Sequence, residues 1–487
     1  MYFGKELFVA PVFVLLMGGA AHAALTADQV WADLQTQAAG AGVKLTAATE
    51  VKGDGSLMLN GVTIAPDGGK GTATISQVSV VEEGDGSVTL YPQDIKFDFS
   101  PTAGSSSAVQ ISHDGLGITV REAGLGLGYG IMAKTLSVVV DEREENGSIG
   151  VAFRLEGLGG SYERGDAGIS THLTADRFAY AIAQENPTPG MNSKQTSDSA
   201  GLDVAVDVNF PSGLDLAALP FNQALRDGLG VSVKVLLGAS EGTVEESNPD
   251  MPLNIAFTAQ GGSTTLHLNR DTQAYDTQAT DIAATLLPPM VPADILVSLS
   301  LFKLHFGMPV VALEPADYGI GLKLSDLVIG EGAWAVLDPG AALPRDPINV
   351  DLDLGGKVKI DFLDFMEVSE NKTAPEGKPA LQSLDIRILA ISLAGAALSG
   401  TGAFTFDNSM VAVGGLPMPL GSADLRLEGG NRLIDGLVAI GLVPEDQAMG
   451  ARMAMAMFGK PEGDDVVTSK FEAKEGGSVF VNGQQIQ

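Results

Sequence analysis

A chain of 487 residues that is 45% hydrophobic can bury a sizeable core, and 61 glycines beside only 18% charged residues lean it toward β-structure rich in turns. The formal net charge of −31 repels phosphate backbones and excludes nucleic acid as a partner. There is no cysteine, which excludes disulfides, thiolate catalysis and cysteine-ligated metals.

The first segment places Lys5 ahead of an apolar run from Leu7 to Met17, followed by small residues that end in Ala21-His22-Ala23. This pattern predicts a secretory signal peptide over 1–23, cut after Ala23, and a periplasmic mature chain. The run is short for a membrane span, so an uncleaved inner-membrane anchor is the alternative and no span is expected in the mature chain. In "LTADQVWADLQTQAAGAG", Thr26 and Gln29 predict a capping box, and Val30, Trp31, Leu34 and Ala38 share one side of a helix that lids one end of a sheet.

Strands follow. Asp54-Gly55, Asp85-Gly86, Asp114-Gly115 and Asn146-Gly147 predict tight hairpin turns at a near-regular spacing. Looser turns are expected at "PDGGKG" and "PTAGSSS". "SIGVAFRLEG" alternates cleanly, and so does "GLDVAVDVNF" (201–210), where Leu202, Val204, Val206 and Val208 oppose Asp203, Asp207 and Asn209. Residues 184–199 and 369–380 read as loops or connections, and a helix is expected around Ala217–Leu229. The proline-broken region Ile282–Leu313 reads as a buried elbow with a short helix. "INVDLDLGGKVKIDFL" reads as two halves paired across Gly355-Gly356. Near the end, two helices meet at Val443-Pro444 and place Met449, Met453 and Met457 on one face, expected to pack as core, before a hairpin turning at Gly476-Gly477.

The fold class this predicts is mainly β: long antiparallel meander sheets, curled or sandwich-like, with a few short helices near the N-terminus, in the middle and near the C-terminus. The expected units are 24–184 with its leading helix, 200–368 with short helices, and 380–487 with paired helices and the terminal hairpin; one continuous domain is the alternative.

Motifs that carry chemistry are largely missing. His113, His172, His267 and His305 are scattered without ligand spacing and read as exposed or strand-packed. "GLGLGYG" (124–130) has period two rather than the spacing of a nucleotide loop, and reads as a strand closely approached by another backbone. "DGGKGTA" (67–73) has Ala73 where a calcium turn needs aspartate. Asp351, Asp353, Asp361, Asp364 and Glu367 are the only acidic group suggestive of glycoside hydrolysis, and three of them alternate with apolar residues as the wet face of a strand must. No catalytic, cofactor-binding or metal-ligating residue is assigned, and no cofactor is expected.

The paired helices followed by "TSKFEAKEGGSVFVNGQQIQ", together with "LTADQVWADLQTQAAGAGV" and "GAFTFD" (402–407), resemble an uncharacterised family of secreted Gram-negative β-rich proteins, a domain of unknown function. More remotely the chain is similar in style to AsmA-like envelope proteins, a resemblance that implies curled antiparallel sheets with a greasy groove and a link to lipid handling. The expected function is therefore a non-enzymatic periplasmic protein that binds a lipid or other apolar ligand in a curled β-sheet for envelope maintenance. A scaffold with a closed core and an envelope-polymer hydrolase with unidentified carboxylates are the alternatives. A membrane barrel is disfavoured by 6% aromatic content and strands that carry Asp without aromatic girdles.

Overall fold

Alternation of apolar and polar residues at period two recurs along most of the chain, and the backbone answers it with strands, which make up 69% against 14% helix. The mainly-β expectation holds. The structure, a computed structural model, describes residues 25–486 except 41, 67–70, 100–105, 124–125, 145–146, 166, 186–190, 212–218, 249–251, 287–293, 365–378 and 412–416. The signal peptide and its cut lie outside the described residues, as do most of the turns at "PDGGKG" and "PTAGSSS" and the connection at 369–378. Contacts divide the chain into two units: one holds the described residues up to Leu214 with Val233–Asn254, the other Asp215–Ser232 and Ile255 onward.

The first unit opens with helix α1 (Ala27–Gly40), and the capping box forms: Thr26 N–H donates to Gln29 Oε1 at 3.0 Å, and Gln29 N–H donates to Thr26 Oγ1 at 3.3 Å. Glu82 accepts from Ala27 N–H at 2.9 Å. Val30 and Trp31 pack onto Leu57, Leu59, Val78, Val80, Val88 and Val120, so α1 lids the first strands as expected. The strands then run as an antiparallel meander, nearly each one paired with its sequence neighbours, up to the long hairpin of Gly126–Glu144 with Gly147–Gly165.

Several of these strands are interrupted near mid-length, and the interruptions line up. Ala48 lies opposite Gly61 (φ 61°), and Ser76 opposite Asp94 (φ 50°). Gly115 (φ 67°) faces Lys134, Lys134 faces Gly157 (φ 62°), Gly157 faces Asp176, and Asp176 faces Gly201 (φ 102°). Asp114-Gly115 is thus no hairpin turn: Ser106–Asp114 and Gly117–Ala123 both pair with Gly126–Glu144 in one register, as two parts of one broken strand. Positive φ at these places twists each strand locally and bends it. Residues Asn192–Ser199, expected as part of a loop, form a strand paired on both sides.

The second unit carries the longest uninterrupted series: Thr272–Leu286, Ile295–Pro309, Val311–Ile329, Ile348–Asp361, Ala380–Leu393, Ala396–Val411 and Pro417–Glu428, each antiparallel to the next. The expected elbow at Ile282–Leu313 is instead the end of one strand, all of Ile295–Pro309 and the start of Val311–Ile329, with no helix among its described residues. Of its prolines, Pro309 closes a strand, and Pro288, Pro289 and Pro292 lie outside the described residues. Ile348–Asp361 is one continuous strand whose Gly355 and Gly356 sit mid-length, so its halves pair with neighbours and not with each other. A second aligned break joins Gln260, Asp281 (φ 48°), Ser300 and Asp326 (φ 54°). Helix α2 is shorter than expected, Phe221–Arg226; α3 is Glu331–Leu337, and α4 (Gly430–Ala439) and α5 (Glu445–Phe458) form the anticipated C-terminal pair. Pro444 stands at the N-cap of α5. The terminal hairpin pairs Val466–Ala473 with Val479–Val481 around Gly476 and Gly477, as expected.

Candidate functional site

Strand register fixes which side chains share a face. In the second unit Tyr275, Phe306, Ile320, Leu354 and Ile386 form one cross-strand row; Leu304, Leu322, Leu352 and Leu389 form the next; Phe302, Leu324, Val350, Ile391, Leu398 and Leu427 form a third. All point to the same side. None of them is buried: Ile320 is exposed and the others are half-buried. At about 4.8 Å between strands and about 6.8 Å between alternate residues, the side chains of these three rows cover roughly 500 Å². That is in the upper part of the roughly 300–600 Å² of the largest patch on a soluble monomer, a size at which such patches are often functional. At one end of the rows Phe404, Ala423 and Ala473 pack with Ile386 and Phe471, and in the third row Leu427 lies against Gly430 of α4.

The first unit repeats the arrangement beyond its line of breaks. Phe153 and Phe178 stack with centroids 6.3 Å apart, Tyr180 follows at 6.0 Å, and Phe153 stays 40% exposed. On the other side of the breaks, α1 covers Leu127 and Tyr129 fully. Where α1 lies on the strands the apolar face is closed.

The opposite, polar face holds the acidic residues singled out in the sequence. Asp351 pairs with Lys323 at 2.6 Å and Asp353 with Arg387 at 3.3 Å. Arg226, at the end of α2, bridges Asp361 at 3.0 Å and Asp364 at 2.6 Å. Burial pushes the Asp361 carboxyl up, but the Arg226 guanidinium and the backbone N–H of Asp364 outweigh it and hold the group below its ordinary value. A carboxylate kept ionised in this way does not supply a proton near neutral pH. Glu367 lies outside the described residues. The histidines sit in strands or beside them: His305 Nδ1 is 2.6 Å from Asp276, His172 Nε2 is 3.1 Å from Asp203, and His267 lies between Ser232 at 2.8 Å and Asn269 at 3.0 Å. Among the described residues no group of histidines and carboxylates is placed to hold a metal ion.

The methionine face is a correction. Met449, Met453 and Met457 are 61%, 60% and 65% exposed, so they do not pack as core. Helix α5 lies against α4, and its methionine edge looks outward. Periodicity announces an apolar face but not what meets it.

One concave feature sits on the polar face of the last strands, a groove of about 860 Å³. Ser399, Arg426 and Thr468 form one row of its floor and Thr401, Asp424 and Lys470 the next, with Arg387, Lys460, Glu462 and Asn482 at its sides. Nothing in the sequence flagged it, because its residues come from five separate strands and share only their register.

Among the described residues no helix is long and apolar enough to cross a membrane. The family described as "Uncharacterized protein conserved in bacteria (DUF2125)" matches residues 237–481, a stretch that takes in "GAFTFD", the paired helices and the terminal hairpin up to Val481. No curated protein and no solved structure matches the chain.

Proposed function

The chain belongs to this bacterial family, and from that premise we propose that it is an exported, non-enzymatic protein of the cell envelope whose open apolar sheet face binds a lipid or another apolar ligand. The observation that supports the reading is the half-buried state of Phe302, Leu304, Phe306, Leu322, Leu324, Leu352 and Leu354 on neighbouring strands. A sheet that serves only as scaffold would bury such residues beneath a second layer, as α1 does for Leu57 and Leu59. An acyl chain of ~14 CH₂ groups, at about 0.8 kcal/mol each, gains roughly 11 kcal/mol by leaving water, before the cost of ordering it. The N-terminal sequence, with Lys5, its apolar run and Ala21-His22-Ala23, supports export, and N-terminal sequencing of protein from a periplasmic fraction is expected to begin at Ala24.

Native mass spectrometry of the full chain, purified from a Gram-negative host without detergent, tests the binding. Adduct masses that solvent extraction identifies as lipid are expected. The double variant Leu322→Glu with Leu352→Glu places two charges in the middle of the patch, where both side chains are already half-exposed, so it folds and loses most of the adduct. A clean apo mass for the unmodified protein, with no lipid in the extract, overturns the reading.

A further inference from the structure

The groove on the polar face carries an inference independent of the apolar one, since the two lie on opposite sides of the strands. Alternation places Ser399, Thr401, Asp424, Arg426, Thr468 and Lys470 on one side and Leu398, Leu425, Leu427 and Val467 on the other. The chain as a whole has 60 acidic residues to 29 lysines and arginines. In the groove the ratio inverts: Arg387, Arg426, Lys460 and Lys470 face only Asp424 and Glu462.

The arginines and the lysines of the groove are held differently. Arg426 is fixed from two sides, by Glu428 at 2.7 Å and Glu462 at 3.3 Å, which sets its guanidinium plane. Arg387 is pushed out of its strand by a register shift between Ile386 and Leu389, and keeps one long contact, 3.3 Å, to Asp353. Gly355 beneath it makes this placement possible, since a Cβ there would collide with the guanidinium. Lys460 and Lys470 have no carboxylate within 4 Å among the described residues. In a protein with this excess of acid, leaving two ammonium groups unpaired beside two arginines keeps donors free for an outside anion. The hydroxyls of Ser399 and Thr401 on the same floor add neutral donors. A cavity of about 860 Å³ exceeds what a single small ion needs.

We propose that this groove binds a phosphate-bearing ligand, a phosphomonoester or diphosphate group carried either on a lipid headgroup or on a soluble molecule. Isothermal titration at low ionic strength tests it with two probes. One is inorganic pyrophosphate. The other is phosphatidylcholine vesicles with and without phosphatidic acid. Saturable binding of pyrophosphate is expected, weakening at least about tenfold in the double variant Lys460→Glu with Lys470→Glu and retained in Lys460→Arg with Lys470→Arg. Lys134→Glu, a charge reversal elsewhere on the surface, leaves it unchanged. Binding confined to phosphatidic acid vesicles, lost in the same double variant, assigns the phosphate to a lipid. Failure of both probes to bind, or equal binding by the charge-reversed variant, overturns the proposal. Neither result depends on whether lipid adducts are found on the apolar face.

Discussion

Asp338 shows what a single side chain does in this protein. It follows α3, is fully buried, and accepts from the backbone N–H groups of Leu343 at 2.9 Å and Ala342 at 2.8 Å. Those two bonds hold its carboxyl below the ordinary carboxylate range, against an opposing effect of burial and with help from Arg345. Since the folded value lies below the unfolded one, the stability it contributes is complete above about pH 4, the unfolded value, and is lost as pH falls through the folded value. Asp338→Asn removes one acceptor and the charge. Urea midpoints are expected to show the variant less stable at pH 6.5, with the gap to the parent protein narrowing by pH 3; a gap that stays constant would show that the charge plays no part. None of this was legible in "LDPGAALP", because a turn that wraps around a buried carboxylate looks like any proline-glycine loop until the backbone donors are placed. The capping box at Thr26 and Gln29 was legible, because both partners lie within one turn of each other.

Among elements, the long strands were readable by their alternation, and "LDVAVDVN" is indeed the strand Leu202–Asn209. Their interruptions were not. Asp-Gly at 114–115 carries the chemistry of a hairpin turn, yet it serves as a break in a strand whose two parts keep the same partner. Local chemistry fixes a positive φ, and only register says whether the chain then reverses or continues. Gly157, at φ 62° against the Asp176 side chain, tests the importance of these breaks. Gly157→Ala is expected to cost about 1–3 kcal/mol, from the left-handed backbone and the crowding together. Gly150 lies seven residues away in the same strand, in extended backbone, and an added Cβ there meets Asp141 only at an ordinary contact distance of 3.5 Å. Gly150→Ala should be neutral or stabilising by up to about 1 kcal/mol. Denaturant titrations of both variants check the contrast, and equal effects would mean that the breaks are not a constraint on the fold.

For the whole molecule, charge and sidedness dominate. A net charge of −31 repels itself in the folded state more than in the expanded one, so stability should rise as salt screens it. Thermal melts between about 20 mM and about 500 mM sodium chloride are expected to show a rising midpoint; a falling one would mean that ion pairs such as Arg226 with Asp361 and Asp364 outweigh the repulsion. That the strands have an oily side and an acidic side was plain from the sequence. Whether the oily side is shut was not, since Leu57 and Leu322 stand in similar alternating surroundings, and only the first lies beneath a helix. The order of pairing has one more consequence. Within each unit most strands bond to one made shortly before, so the growing edge lies near the newest part of the chain. A polypeptide delivered amino end first can zip onto that edge while its remainder is still being fed through a pore, and each closure costs only the entropy of a short hairpin.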